Sequence, residues 1–288
     1  ATYLVQSKNT HSQNHMFHNL KHTVLGDGQG HDQIQVHLGW GEATKHGHAD
    51  TLGLQLFAQG HLLLDDITYP KHRLRAVYGS TLTHNTVTVD RRSQTPSPND
   101  GDPVLYEPRF SGLAAVRVNA ERAYTGICDI YARTIISNTS DIKRPYVVDC
   151  FRVRGGEQTR DYMLLSCYKR RSTASLSVDA MKLTGDRPLM RADARWNDAG
   201  GDSVQYDDPY GIFTNVRRID ADNDFVLQYT LNEPWILRDE TGAEVITQAG
   251  VPEPIDLYYD PAKPEVGTRH HFLGQTNMEG FLVDLTRR

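Results

Sequence analysis

The chain lacks most of what would make it a membrane protein, a disulfide scaffold or a nucleic-acid binder. No apolar run approaches the roughly 20 residues needed to cross a bilayer. The opening Ala1-Thr2-Tyr3-Leu4-Val5-Gln6 does not have the pattern of a signal peptide, so the chain reads as a mature, processed or excised piece. Cysteine is scarce: Cys128, Cys150 and Cys167 are odd in number and have no metal-type spacing. They define no disulfide framework and are expected to be small buried apolar residues, which leaves the compartment open. The charge is not one-sided, with 31 Lys plus Arg against 36 Asp plus Glu. A global positive field of the kind that holds nucleic acid is therefore absent, and an anionic ligand must be met by local patches. Helical periodicity is rare, and no internal repeat or low-complexity linker stands out.

Strand patterns fill most of the remainder. Asp32 to Trp40 alternates polar with apolar, the period of a half-buried strand, and Gly26-Asp27-Gly28-Gln29-Gly30 before it is strong turn chemistry. Leu52, Leu54, Leu56 and Ala58 form an alternating face, and Gln59-Gly60 turns the chain into His61-Leu62-Leu63-Leu64. Ser93 to Pro103 is rich in Ser, Pro, Asn, Asp and Gly and reads as a surface loop. Further strand-like runs are Ala114–Val118, Tyr131–Ile136, Tyr146–Val153, Tyr162–Tyr168, Ile212–Ile219, Phe225–Leu231, Trp235–Leu237 and Phe281–Leu285. Many short strands with plentiful turn residues predict an all-β fold, a large antiparallel β-sandwich, and 288 residues suffice for a substantial core. Residues 1–22 read as an irregular lead-in and 23–205 as the main sandwich. Residues 206–288 read as C-terminal strands of the same sandwich or of a small appended β domain, with Gly200 to Asp208 as the boundary.

Eleven of the thirteen histidines fall within the first 84 residues, so a His-x-His spacing is expected there by chance. What distinguishes His46-Gly47-His48-Ala49-Asp50 is its company: Asp65-Asp66 closing the next hairpin, then Ser80-Thr81-Leu82-Thr83-His84-Asn85-Thr86-Val87. Two histidines two apart on a strand share a face, and neighbouring strands can add a carboxylate and His84 to complete a metal cage. Which aspartate faces the cage depends on the hairpin. A two-residue turn at Gln59-Gly60 puts Asp65 on the His48 face, whereas a three-residue loop with Gly60 in a left-handed bulge puts Asp66 there.

The order of these motifs resembles the β-sandwich part of heparinase II/III-like polysaccharide lyases. The likeness continues through Tyr131-Ala132-Arg133-Thr134, Val147-Val148-Asp149-Cys150-Phe151-Arg152-Val153, and Gly155-Gly156 leading to Asp161-Tyr162. It covers residues 22 to 168 well and the rest weakly. By this resemblance His48, Asp66 and His84 bind a zinc ion that serves a structural role, and His46 points toward the substrate cleft. There it handles the uronate carboxylate or the proton transfer of a β-elimination. That reaction needs a neutralised carboxylate, a base for the C5 proton and an acid for the departing O4 oxygen. The implied partners are an acidic polysaccharide, alginate-like or heparan-like, and an N-terminal α/α-toroid domain that carries much of the acid-base work. This chain has no repeated helical hairpins and so departs from the complete enzyme. It departs again at Arg160, where the family often has histidine. Substrates of that size imply a periplasmic or secreted protein.

Tyr69, Arg75 and Tyr78 lie between Asp66 and His84, where a loop can present them to a charged sugar: Arg as a bidentate carboxylate partner, Tyr as a stacking or proton-bearing group. Asn85 is expected to hold a backbone turn beside the metal, Asp50 to support a ligand from behind, and Arg91-Arg92 to be a solvated pair. Two rivals remain. A cupin-like oxygenase or isomerase also uses His-x-His on a strand, but it expects a Glu shortly after the pair, where this chain has Leu52 and Gly53. A non-catalytic carbohydrate-binding sandwich with a structural zinc is the other.

Overall fold

The computed structural model describes residues 11–41, 47–59, 61–66, 75–95, 98–110, 112–157, 160–165, 172–197, 205–206, 208–214, 216–220, 225–231, 236–238, 244–246, 255–259, 268–273 and 280–284. Its first sheet is antiparallel and sequential: β1 (His15–Phe17), β2 (His22–Asp27), β3 (Ile34–Gly39), β4 (Leu54–Ala58) and β5 (His61–Leu64). The alternation read in the sequence becomes two unlike faces. Thr23, Leu25, Ile34, Val36, Leu38 and Leu54 are buried, whereas His22, Gln35, His37 and Gln55 lie half-buried on the opposite side. After β5 a short helix, Arg75–Tyr78, and a 3-10 turn, Thr81–Thr83, lead into β6 (Val87–Val89).

The second sheet is a four-stranded meander: β7 (Asp102–Phe110), β8 (Leu113–Asn119), β9 (Cys128–Asn138) and β10 (Tyr146–Gly155). Its inner residues Val116, Val118, Tyr131 and Ile135 join Leu25, Val36, Leu38 and Trp40 in one apolar cluster, so the core lies between the two sheets. Fully burying each aliphatic side chain is worth about 1.5–3 kcal/mol, and truncating one such as Leu38 to Ala costs about 2–5 kcal/mol. β10 ends in a bulge at Gly155, whose φ of +118° and whose approach to the Ile127 carbonyl leave no room for a Cβ.

β7 was not foreseen, and its sequence explains why. It is an edge strand that carries Pro103 and Pro108 and exposes Val104, Leu105 and Phe110, so it shows neither the composition nor the alternation of a paired inner strand. A third sheet joins β6 to β11 (Arg160–Leu165), then to Thr268–Leu273, Gly280–Asp284, Arg217–Asp220 and Met181–Lys182. Two of its pairings are parallel, β11 with Thr268–Leu273 and Arg217–Asp220 with Gly280–Asp284; most others in the molecule are antiparallel. The fold is thus an all-β sandwich, as expected.

Several elements fall across the boundaries read from the sequence. The lead-in is not wholly irregular, because β1 pairs with β2 from His15 to Phe17; three polar-flanked residues are too few to show a period. A boundary between 205 and 206 would cut the strand Gln205–Tyr206, which pairs with Trp196–Asn197, and the C-terminal strands share a sheet with β6 and β11. The run Ile212–Ile219 is not one strand: Asp208 caps a 3-10 turn at Pro209–Ile212, accepting from the Tyr210 N–H at 3.1 Å, and pairing begins at Arg217. Cys128 is buried as expected, but Cys150 is exposed, facing outward on β10, and Cys167 lies outside the described residues. No helix among the described residues is long and apolar enough to cross a membrane.

Candidate metal centre

The hairpin that delivers the carboxylate has the register of the two-residue turn at its tip and adds a bulge further along the strand. Ala58 pairs with His61, so two residues make the turn, with Gln59 at φ 52°. The register then slips by one: Phe57 faces Leu62 but Leu56 faces Leu64. A two-residue turn followed by a bulge gives the strand end the same offset as a three-residue loop. Asp66 consequently meets His84, its Oδ1 lying 2.5 Å from His84 Nδ1. Asp65 turns inward: it is buried, and its Oδ1 accepts the Asp66 N–H at 2.7 Å.

Three segments converge here. The rings of His48 and His84 have centroids 4.8 Å apart with planes inclined by 36°. His48, Asp50 and His84 each offer a ligand atom, and these atoms all lie within 4.8 Å of one another. His84 is 1% exposed and Asp66 23% exposed. The Nε2 of His84 is buried and has no hydrogen-bond partner among the described residues, an expensive state for an imidazole nitrogen. The electrostatic influences on the group pull in opposite directions. Burial alone would lower His84, but the charge and hydrogen bond of Asp66, with Asp50 behind, raise it. Burial lowers His48, helped by His84, and burial raises the Asp50 carboxyl. Two imidazoles and two carboxylates in one enclosed place are the donor set of a divalent ion such as zinc, so the residues present fit that group.

The backbone around the cluster is braced from several directions. Asn85 Nδ2 donates to the carbonyls of Leu54 at 2.9 Å and Asp65 at 2.7 Å, which ties the His84 loop to both strands of the hairpin. Gln94 donates to the Thr51 carbonyl and accepts from its N–H, at 2.9 and 2.8 Å. The intervening turn is tight. Leu52 is fully buried with φ 64°, a left-handed conformation costly for a Leu side chain, and a Cβ on Gly53 would stand 2.7 Å from the Asp50 carbonyl oxygen. What holds the turn is Arg133 on β9. Its Nη1 donates to the carbonyls of Leu52 and Asn85 at 2.6 and 2.5 Å, while Asp149 and the Tyr162 hydroxyl take its other nitrogens. Burial would discharge this guanidinium, but the Asp149 carboxylate outweighs it and keeps Arg133 charged.

A cleft of about 200 Å³ opens beside the cluster, lined among others by Lys21, His22, His37, Asp50, Asp66 and Asn85. It lies against the polar face of the first sheet.

The structure therefore brings together His48, Asp66 and His84, and adds Asp50 as closely as any of them. His46 and Tyr69 lie outside the described residues. Arg75 opens the short helix before β6. Tyr78 is 7% exposed and packs with Val77, Leu82, Met163 and Tyr210, so its ring is part of a second small core. Asn85 has the backbone-holding place expected of it. Arg91 is not a solvated residue: it pairs with Asp208 at 2.6 Å and stacks over Tyr210 at 3.6 Å. Arg160 donates to the Gly155 carbonyl at 2.6 Å. Sequence reasoning assigned no role to Arg133, Asp149, Tyr162 or Gln94, although the first three belong to the downstream motifs, and a buried Arg with an alternating Asp on the next strand was the available signal.

A family model described as Heparinase II/III-like, C-terminal, matches residues 32–265. Similar solved structures are titled Heparinase III-BT4657 gene product (TM-score 0.43, 12% identity, covering 79% of this chain and 30% of that one), the same product with methylated lysines (0.41, 12%, 86% and 42%) and Crystal Structure of Heparinase III (0.41, 12%, 87% and 35%). The chain thus spans less than half the length of these structures. Curated proteins give no match.

Proposed function

The chain belongs to the heparinase II/III-like C-terminal family, and from that premise we propose that it is the zinc-binding β-sandwich part of a lyase that cleaves uronic-acid-containing glycans, alginate-like or heparan-like, by β-elimination. The observation that carries the metal half of this reading is the group of His48, Asp50 and His84, with Asp66 hydrogen-bonded to His84 and one His84 nitrogen buried without a partner among the described residues.

In this reading His48, Asp66 and His84 hold the ion and Asp50 completes the set. Four protein donors close the coordination shell, which is the pattern of a structural zinc. When bound, the ion supplies a rigid joint between the 48–53 turn, the hairpin end and the His84 loop, and the charge that offsets two neighbouring carboxylates. The side chains of this chain then do the positioning. Asn85 and Arg133 fix the backbone on which His48 and His84 sit. His46 is the residue assigned to the uronate, where an imidazole at the carboxylate or the C5 proton assists enolate formation. The remaining acid-base groups are proposed to come from an N-terminal α/α-toroid of the same protein. A periplasmic or secreted location follows from the size of the substrate.

The test uses the full-length protein with alginate and heparan-type polymers. Unsaturated uronate ends absorbing in the ultraviolet are expected, with His46→Ala lowering their formation and leaving zinc content unchanged. If the protein binds these glycans and never forms the unsaturated product, the lyase reading fails. The carbohydrate-binding sandwich then takes its place.

A further inference from the structure

The outer face of the first sheet carries a second arrangement of histidines, separate from the metal cluster. Register sets it: Val24 faces His37 and His22 faces Gly39, so His22 and His37 are diagonal neighbours on one face. His22 Nε2 lies 3.0 Å from His37 Nδ1, His37 Nε2 lies 3.1 Å from Gln35 Oε1, and Gln35 Nε2 donates to Ser12 Oγ at 2.8 Å.

With the Gln35 amide oriented to donate to Ser12, the chain of contacts has one proton assignment for neutral rings. The Gln35 amide gives its N–H to Ser12, so its carbonyl oxygen must accept from His37 Nε2. A neutral His37 protonated at Nε2 has a lone pair at Nδ1, which accepts from His22 Nε2–H. A neutral His22 protonated at Nε2 then has its lone pair at Nδ1, for which the described residues provide no donor. Burial favours neutral rings: it lowers His22, and it lowers His37 to about 4 with help from His22. The charged groups around the pair are Lys21, which is 3.2 Å from Asp100, and Asp50 and Asp66 lining the same cleft.

We propose that His22, held by His37 and Gln35, is a sugar-binding subsite of this cleft, accepting at Nδ1 a hydrogen bond from a hydroxyl group of an acidic sugar unit. His22 is the contacting residue; His37 and Gln35 are positioning residues that fix its tautomer. The ligand class rests on the function proposed above, whereas the relay rests on geometry alone. Both histidines and Gln35 spend half-buried positions on a polar chain that does nothing for the core beneath, and the cleft that His22 and His37 line together with Asp50 and Asp66 is of a size to hold a sugar ring.

The experiment is calorimetric titration of this chain with saturated tetrasaccharides of alginate and of heparan type, with zinc content measured on every sample. His22→Ala is expected to weaken binding about tenfold, the loss of one well-placed hydrogen bond, with zinc unchanged. His22→Asn, which keeps an acceptor near Nδ1, should restore most of the affinity. Gln35→Leu should weaken binding without touching the ligand, and nitrogen-15 spectra should show His22 moving away from the Nε2–H tautomer. Wild-type affinity in His22→Ala, or a His22 protonated at Nδ1 in the unaltered chain, overturns the subsite and leaves the proposed function standing. Failure of the unaltered chain to bind either glycan overturns the subsite, while the lyase reading is decided by the product assay on the full-length protein.

Discussion

Arg133 and Asp149 meet as a two-point pair behind the candidate metal centre, Nε to Oδ1 at 2.9 Å and Nη2 to Oδ2 at 2.5 Å. Because Nη1 of the same guanidinium holds the Leu52 and Asn85 carbonyls, the pair links the second sheet to the turn and loop that carry His48 and His84. Arg133→Met is expected to destabilise the chain by about 3–5 kcal/mol, as removal of one partner strands the other, and to reduce zinc retention. Urea unfolding with zinc analysis checks both; an unchanged midpoint would remove Arg133 from the account.

Asn85 makes a narrower prediction. Asn85→Ala removes the donors that satisfy the Leu54 and Asp65 carbonyls, at about 1–3 kcal/mol for buried groups left unpaired. Asn85→Asp should cost as much or more, since a carboxylate cannot donate. Thermal unfolding of the two variants tests the order.

Acid should weaken the fold through His37. Its folded value, about 4, lies below the ordinary 6.5, so the unfolded chain binds more protons between these limits and stability rises with pH there. It is fully present above about pH 6.5 and is lost as pH falls toward 4, by about 3 kcal/mol at most. His37→Asn should flatten that part of the stability curve. An equally steep curve in the variant would place the acid sensitivity elsewhere.

The two carboxylates of the cluster separate two arrangements of the ion. Asp50→Asn and Asp66→Asn should each lower zinc affinity, because both belong to the donor set. Retention of full affinity in Asp66→Asn would make that residue a hydrogen-bond partner of His84 alone.

How much was legible follows from where the information sits. The inner strand β3 was read from its alternation, and Phe225–Leu231 from its apolar run, because burial on one or both faces writes itself into local pattern. The edge strand β7 was not, since two prolines and exposed apolar residues are what an edge permits. His48, Asp66 and His84 were singled out by motif order, yet the choice of Asp66 needed a bulge at Leu63 that no residue type announces. Tyr78 was placed near a sugar by its position in sequence, and the structure packs it against Tyr210 and Met163, contacts that only tertiary folding creates. The His22–His37 relay was likewise invisible, being set by the register of two strands, and the Arg133 brace showed only as an Arg and an Asp on successive strands whose partners the fold supplies. The family match sets aside the cupin-like alternative.

The central claim is that distant strands gather His48 and His84 around one divalent ion. Elemental analysis of the purified chain and of His48→Ala and His84→Ala measures it directly. The account predicts one zinc per chain, lost in both variants together with a lower melting temperature, since binding energy is part of folding energy. Undiminished zinc in both variants would contradict it.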